Sequence, residues 1–255
     1  MSAPAMTVSS SLPFVRRRHS VQRPARRRDT AADPRPPHGR LPIGFSDAKR
    51  STVILDGMLL YDSSVSGNCY KARLLFAHLG LPYERRELSV VDRSNRQEVL
   101  GGLNPGLRVP TVVLDDGRPL AESNAILWYF ADGTPYLPAD AYERAQVLQW
   151  LCFEQYSHEP NIAVLRFWLH YAATPPSEAE MAAKRAGGHA ALRAMEGHLA
   201  SGAFLVGERY SIADIALYAY THAADEAGFD LGAYPAVGAW LKRVSTQNGH
   251  IGIDA

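Results

Sequence analysis

Cysteine is nearly absent. Cys69 and Cys152 are the two in 255 residues, too few for a disulfide framework and without the spacing of metal ligands. That usage suits a reducing compartment, so a cytoplasmic location is expected and no bound metal. Long apolar runs are also missing: none approaches the roughly 18 to 20 residues that span a bilayer, and no membrane partner is expected. Nor does one sign of charge dominate, since 27 Lys and Arg face 26 Asp and Glu for a net +1. What is present is the balance of an ordinary globular chain, 46% hydrophobic and 21% charged, long enough for one large domain or two smaller ones with real cores.

The even balance hides an uneven distribution. Residues 1–57 hold ten Arg and Lys49 against Asp29, Asp33, Asp47 and Asp56, a net +7, so the remainder carries −6. The same stretch has seven of the 17 prolines and no sustained apolar period, the composition of a disordered leader. It reads as a nucleic-acid-binding arm, an organelle transit peptide, or translated upstream sequence before a start at Met58. It has no apolar core of a secretory signal, and its basic runs lack the interleaved aromatics that stack on bases, so no nucleic-acid partner is expected. Arg outnumbers Lys by 23 to 4, a bias of GC-rich coding DNA that favours the upstream-sequence reading.

From Met58 onward the periodicity is legible. Met58 to Tyr61 reads as a short buried strand, and Cys69 to Leu81 as a helix stopped at Gly80. Tyr83 to Val90 alternates as a second strand, with a short helix near 94–100. Thr111 to Leu114 and Arg118 to Ala121 flank Asp115-Asp116-Gly117, a hairpin signal, and Ser123 to Ala131 closes the unit as a helix. The order β-α-β-α-β-β-α implies a parallel first pair and an antiparallel hairpin in one mixed sheet. A linker at 133–139, rich in turn residues, follows. Beyond it, 139–171, 177–200, 211–228 and 234–247 all show helical spacing. The expected organisation is a leader at 1–57, an α/β unit at 58–132 and an all-α unit at 140–255.

Two stretches carry chemistry. Asn104-Pro105-Gly106-Leu107-Arg108-Val109-Pro110 places a proline at the entrance of an apolar strand, where it cannot donate to the ladder and a cis bond is at home. Such a bend leaves neighbouring backbone groups to a ligand. Glu122-Ser123 then stands at a turn-to-helix junction, where a hydroxyl and first-turn amides receive a carboxylate. Together they read as a peptide-holding site. Ser211-Ile212-Ala213-Asp214 has the form of a capping box.

With Ser66-Gly67-Asn68-Cys69-Tyr70-Lys71-Ala72-Arg73 after the first strand and Phe204-Leu205-Val206-Gly207 before Ser211, these motifs stand in the order of one family. Over roughly residues 58–250 the chain resembles a cytosolic glutathione S-transferase, bacterial-like and serine-type. The resemblance implies a thioredoxin-like N-terminal domain with a mixed four-stranded sheet, an all-α C-terminal domain, glutathione as co-substrate and a homodimer. Val109, before a cis Pro110, would pair with the cysteinyl unit of glutathione, Glu122 and Ser123 would hold the γ-glutamyl end, and Arg108 the glycyl carboxylate. Ser66 is the expected catalytic residue, its hydroxyl touching the glutathione sulfur. Rivals are Ser63 and Ser64 in the same loop and Tyr61, which reads rather as a core aromatic. Cys69 reads as buried packing. Asn68 is expected to cap the first helix, and Ser211 and Asp214 to be structural. Tyr156, Phe167, Trp168 and Tyr171 are candidate walls of an electrophile pocket, while His158 and His170 are too isolated for metal ligands.

The activity this implies is conjugation of the glutathione thiolate to a small hydrophobic electrophile, a detoxification chemistry. Glutathione-dependent reduction of a disulfide or peroxide is the alternative within catalysis. A non-catalytic glutathione-binding or regulatory protein is the alternative outside it, because fold does not fix activity.

Overall fold

A computed structural model describes residues 57–174 and 176–255. The expected leader, apart from Gly57, lies outside the described residues.

Strand β1 (Leu59–Asp62) is buried throughout, and its alternation supplies apolar side chains to both faces of the sheet. Leu60 packs with Ala72, Phe76, Val112 and Ile126, whereas Leu59 and Tyr61 pack with Leu88, Leu100 and Val113. Tyr61 is thus a core aromatic. Helix α1 (Gly67–Leu79) starts from Ser66, the N-cap in extended conformation, and stops at Gly80, whose φ of 64° is the left-handed conformation that a residue without Cβ adopts freely. Strand β2 (Glu84–Glu87) pairs in parallel with β1, and its exposed Glu-Arg-Arg-Glu sequence discourages further pairing at that edge. After the short α2 (Arg96–Leu100), β3 (Thr111–Val113) runs antiparallel to β1, and β4 (Pro119–Ala121) antiparallel to β3. The sheet order is β2-β1-β3-β4, and α3 (Ser123–Ala131) follows. This is the mixed four-stranded, thioredoxin-like arrangement.

The rest is helical: α4 (Ala141–Phe153), α5 (Glu159–Tyr171), α6 (Glu178–Leu199), α7 (Ile212–Thr221) and α8 (Pro235–Ser245). The continuous helix expected over 139–171 is broken between α4 and α5 by a π-helical turn, Glu154–His158. Pro160 explains the break. It has no N–H to bond the carbonyl four residues back, and the ladder widens so that the Glu159 amide reaches Glu154 O. The turn carries Glu154 and His158 inward.

Helix α7 is buried along its whole length and anchors the helical core with Trp150, Leu192, Phe229 and Trp240. Its start is built around Asp214. Oδ2 accepts the Ser211 N–H at 2.9 Å and the Ser211 hydroxyl at 3.1 Å, while Oδ1 accepts the Leu205 N–H at 3.0 Å and Trp240 Nε1 at 2.9 Å. Burial pushes this carboxyl up to about 6 against the pull of those four donors. Among the described residues no helix is long and apolar enough to cross a membrane.

Candidate functional site

A cavity of about 310 Å³ opens where the loop after β1, the entrance to β3 and the approach to α2 face α5. The first three contribute Val65 and Ser66, with Asn68 from the start of α1; Leu107, Arg108 and Val109; and Val90 and Arg93, with Arg96 at the start of α2. Helix α5 contributes Glu159, Arg166, Phe167, Trp168 and Tyr171 among others, and α7 contributes Tyr220.

The loop that carries Ser66 is held at successive carbonyls. Arg73 Nη2 donates to Ser64 O at 3.3 Å, and Arg166 Nη1 donates to Val65 O at 3.0 Å. Both guanidiniums are fixed in turn, Arg73 by Asp62 at 3.4 Å and Arg166 by Glu226 at 2.6 Å. Of the three loop serines, Ser63 and Ser64 spend their hydroxyls on Glu87 at 3.2 Å each, and Ser66 is the one that lines the cavity. Its Oγ accepts the Cys69 N–H at 3.4 Å, a long bond, and its proton is given to no protein acceptor among the described residues. The hydroxyl therefore keeps a donor for a ligand.

Asn68 is not the cap expected of it, because Ser66 takes that place. A side chain at the second helical position projects from the helix wall, and Asn68 uses it to join α1 to its neighbours. Its Oδ1 accepts Lys71 Nζ at 2.8 Å and the Ser123 hydroxyl at 3.2 Å, its Nδ2 donates to Glu159 at 3.4 Å, and its backbone N–H donates to the Tyr220 hydroxyl at 3.2 Å. The Lys71 ammonium is fully buried against Glu154 at 2.8 Å and reaches Ser123 Oγ at 3.3 Å. A buried ion pair thus stands beneath the N-terminus of α3. His158 lies nearby, its Nε2 against Thr221 Oγ1 at 2.9 Å, and burial pulls its imidazole down to about 4.

Gly67 sets how closely α1 approaches α7. A Cβ there would stand 2.6 Å from the Tyr220 ring and 2.8 Å from Ala219 O. Cys69 beside it is buried, and burial, reinforced by Asp62, pushes its thiol far up; it is packing, not a nucleophile.

The Asn104–Pro110 stretch is held around one carbonyl. Asn104 Nδ2 and the Thr111 hydroxyl both donate to Arg108 O, at 3.0 and 2.8 Å, and Asn104 Oδ1 accepts the Gly106 N–H at 2.8 Å. The Val109-Pro110 bond is cis. Leu107 and Glu122 have φ of 52° and 69°, a region that non-glycine residues occupy at a cost of about 1 to 3 kcal/mol and mostly at functional sites.

The cavity wall gathers Ser66, Arg108 and Val109 with Phe167, Trp168 and Tyr171. Glu122 and Ser123 are outside that lining; Ser123 connects to it through Asn68, and Glu122 is exposed at the head of α3. Tyr156 does not belong to it. The π turn leaves its side chain 87% exposed, away from the cavity. No cluster of three or more His, Cys, Asp or Glu suited to a metal occurs among the described residues.

Lys71, Arg73, Glu159, Arg166 and Tyr220 were not singled out by sequence reasoning. Lys71 and Arg73 fall within the motif after β1, and Arg166 interrupts the apolar stripe of α5, a signal of a paired buried charge. Tyr220 carries no such mark, since it sits among apolar neighbours on a wholly buried helix.

Comparison with known proteins agrees with this fold. Residues 65–132 match the glutathione S-transferase N-terminal domain model and residues 178–243 the C-terminal domain model. A glutathione S-transferase crystal structure from Pseudomonas fluorescens [Pf-5] superposes with a TM-score of 0.74 at 47% identity, covering 77% of this chain and 98% of that one. Disulfide-bond oxidoreductase YfcG of Escherichia coli (strain K12) is 32% identical over 57% of this chain and 70% of its own length. Elongation factor 1-gamma of Artemia salina is 31% identical over 66% of this chain, which spans 40% of that protein. A thioredoxin-like sheet with a cis-proline entrance, followed by this helical array, is the architecture that the two domain models describe. The chain belongs to the glutathione S-transferase family.

Proposed function

We propose that the protein binds glutathione at the β3 entrance and the head of α3, and joins its thiolate to a small hydrophobic electrophile seated against α5. The observation that carries this reading is the Ser66 hydroxyl, capping α1 with its proton uncommitted, on the wall of a cavity whose other side is aromatic. Val109 precedes the cis proline and presents its backbone to the cysteinyl unit. Arg108 takes the glycyl carboxylate. The first amides of α3 take the γ-glutamyl carboxylate, with the Ser123 hydroxyl turning to it from Asn68 Oδ1, and Glu122 takes the γ-glutamyl ammonium.

A free thiol with a pKa of about 8.5 is only a few per cent ionised at pH 7, and lowering it by about two units takes about 2.7 kcal/mol of preference for the anion. A hydroxyl donor together with the positive end of α1 supplies a preference of that size. The sulfur then attacks the electrophilic carbon, a C–S bond forms and the leaving group departs with its electron pair. Proximity within the cavity supplies the rest. Phe167, Trp168 and Tyr171 receive the electrophile's apolar body.

Glutathione-dependent reduction of a disulfide or peroxide is the second reading, favoured by the 32% identity to the oxidoreductase YfcG; with no cysteine on the cavity wall, a second glutathione would resolve the mixed disulfide. A panel of aryl halides, epoxides, peroxides and mixed disulfides, each with glutathione, separates the two. Conversion of halides or epoxides supports transfer, conversion of disulfides alone supports reduction, and binding of glutathione without turnover overturns both in favour of a non-catalytic binder. A homodimer in a cytoplasmic setting belongs to the same reading, and sedimentation equilibrium giving a monomer would contradict that oligomeric state.

A further inference from the structure

Resting on glutathione occupying this cavity, the composition of the wall points to where the thiol proton goes. The Ser66 hydroxyl gives a hydrogen bond to the sulfur and keeps its own proton, so another group must take the one that the thiol loses. Among the described residues the wall offers one carboxylate, Glu159, and no histidine, lysine or cysteine. Its arginines have no acceptor, and its two phenols, Tyr171 and Tyr220, offer a proton rather than take one.

Glu159 owes its place to the break in the helix. It is the first residue of α5, directly after the π turn, and half-buried. Asn68 Nδ2 donates to its Oε1 at 3.4 Å, which ties the carboxylate to the turn of α1 that Ser66 caps. That bond is long, and among the described residues it is the one hydrogen bond the side chain makes; Oε2 has no partner and is not closed off by burial. Charges reach it from each neighbouring element. Burial and the Glu154 carboxylate of the π turn push its carboxyl upward, while the Lys71 ammonium of α1, the Asn68 amide and the Arg108 guanidinium at the β3 entrance pull it down, with the upward push the larger. The Tyr220 phenol of α7 stands close enough to feel its charge. A carboxylate so placed is a stronger base than an exposed one, and a thiolate beside it acts in the same direction, because neighbouring like charges oppose each other's ionisation.

We infer that Glu159 accepts the proton of the bound glutathione thiol and returns it to the departing group of the electrophile. The S–H bond breaks with its electron pair left on sulfur and its proton on the Glu159 carboxylate. The sulfur forms the C–S bond, the bond from carbon to the departing atom breaks with its pair on that atom, and the departing atom takes the proton from the Glu159 carboxyl. Glu159 is ionised again at the end of the cycle.

Two quantities on the full chain at neutral pH test this: the thiolate formed when glutathione binds, read by ultraviolet absorbance, and the protons released to the medium, read by calorimetry in buffers of different ionisation enthalpy. S-methylglutathione, which has no thiol, supplies the reference. The parent should release fewer than about one proton for every two thiolates formed, whereas Glu159→Gln, which keeps an acceptor for Asn68, should release about one for each. Glu159→Gln should also slow the opening of an epoxide by about 100-fold, and slow displacement of chloride from an aryl halide far less, since chloride leaves without a proton. One proton released per thiolate in the parent overturns the inference and leaves the glutathione site standing, whether or not the variant folds. Equal slowing of the two reactions overturns the return of the proton to the departing group. No affinity for glutathione, or no thiolate in the bound complex, overturns the inference together with the reading beneath it.

Discussion

At the scale of single residues, Gly67 and Tyr220 decide how α1 is seated. The missing Cβ lets α1 come within van der Waals reach of the Tyr220 ring and Ala219 O, and the Tyr220 hydroxyl receives the Asn68 N–H. Gly67→Ala forces a methyl against the Tyr220 ring and the Ala219 carbonyl and should cost about 1 to 3 kcal/mol, read from the denaturation midpoint. Tyr220→Phe leaves one half-buried amide unpaired and should cost about 1 kcal/mol without moving the helix; an unchanged midpoint would show that water replaces the phenol. Gly67 and Asn68 were legible as part of a motif in the sequence. Their contact with α7 was not, because it joins residues more than 150 positions apart.

At the scale of elements, the junction of α1, α3 and the π turn is polar and closed. Lys71 and Glu154 are both fully buried and 2.8 Å apart, with Asn68, Ser123 and Asn124 around the ammonium. Removing one partner strands a buried charge, so Lys71→Met should cost about 3 to 5 kcal/mol, whereas Lys71→Met with Glu154→Leu should recover much of the loss. Urea unfolding of the three proteins checks this; equal losses in single and double variants would show that no ion pair is at work. The strands and most helix positions were readable because apolar period and turn residues report them directly. The break at 154–158 was missed because a single proline, Pro160, inside the long amphipathic run 139–171 did not outweigh its periodicity. That break is what turns Tyr156 outward, so an element-level error became a site-level one.

At the scale of the whole molecule, two buried groups give stability opposite responses to pH. His158 is held at about 4 against 6.5 for an unperturbed imidazole. Its contribution is present above 6.5 and is lost as pH falls toward about 4, because the unfolded chain binds the proton first. Asp214 is held at about 6 against 3.8. Its contribution is present below 3.8 and is lost as pH rises through 6. Each displacement corresponds to about 3 kcal/mol. Between pH 4 and 6 they oppose one another. His158→Gln should therefore flatten the acid-side fall in stability between pH 6.5 and 4, and Asp214→Asn the loss between 4 and 6, both read from unfolding free energies across that range. A His158→Gln protein with the parent's slope would place the proton uptake elsewhere.

The division into a sheet unit and a helical unit was legible from the change of period after residue 133. The cavity was not, because it forms only where α5 comes to face the loop after β1. Sequence motifs named one side of that cavity, Ser66, Arg108 and Val109, since those residues sit in turns with a local signature. The facing side depends on packing: Arg166 and Tyr220 acquire their places through Val65 and Asn68, each about 100 or more positions away. Phe167, Trp168 and Tyr171 were reachable only as part of a general aromatic set.

The central claim is that glutathione, once docked beside the start of α1, loses its thiol proton more readily because the Ser66 hydroxyl donates to the sulfur. Ultraviolet titration of the thiolate in the bound complex, in the parent protein and in Ser66→Ala, tests it most directly. The account predicts a bound thiol about two units below the free value of about 8.5 in the parent and a return most of the way in the variant. A bound thiol that titrates as in water, or one that is lowered equally in both proteins, would contradict it.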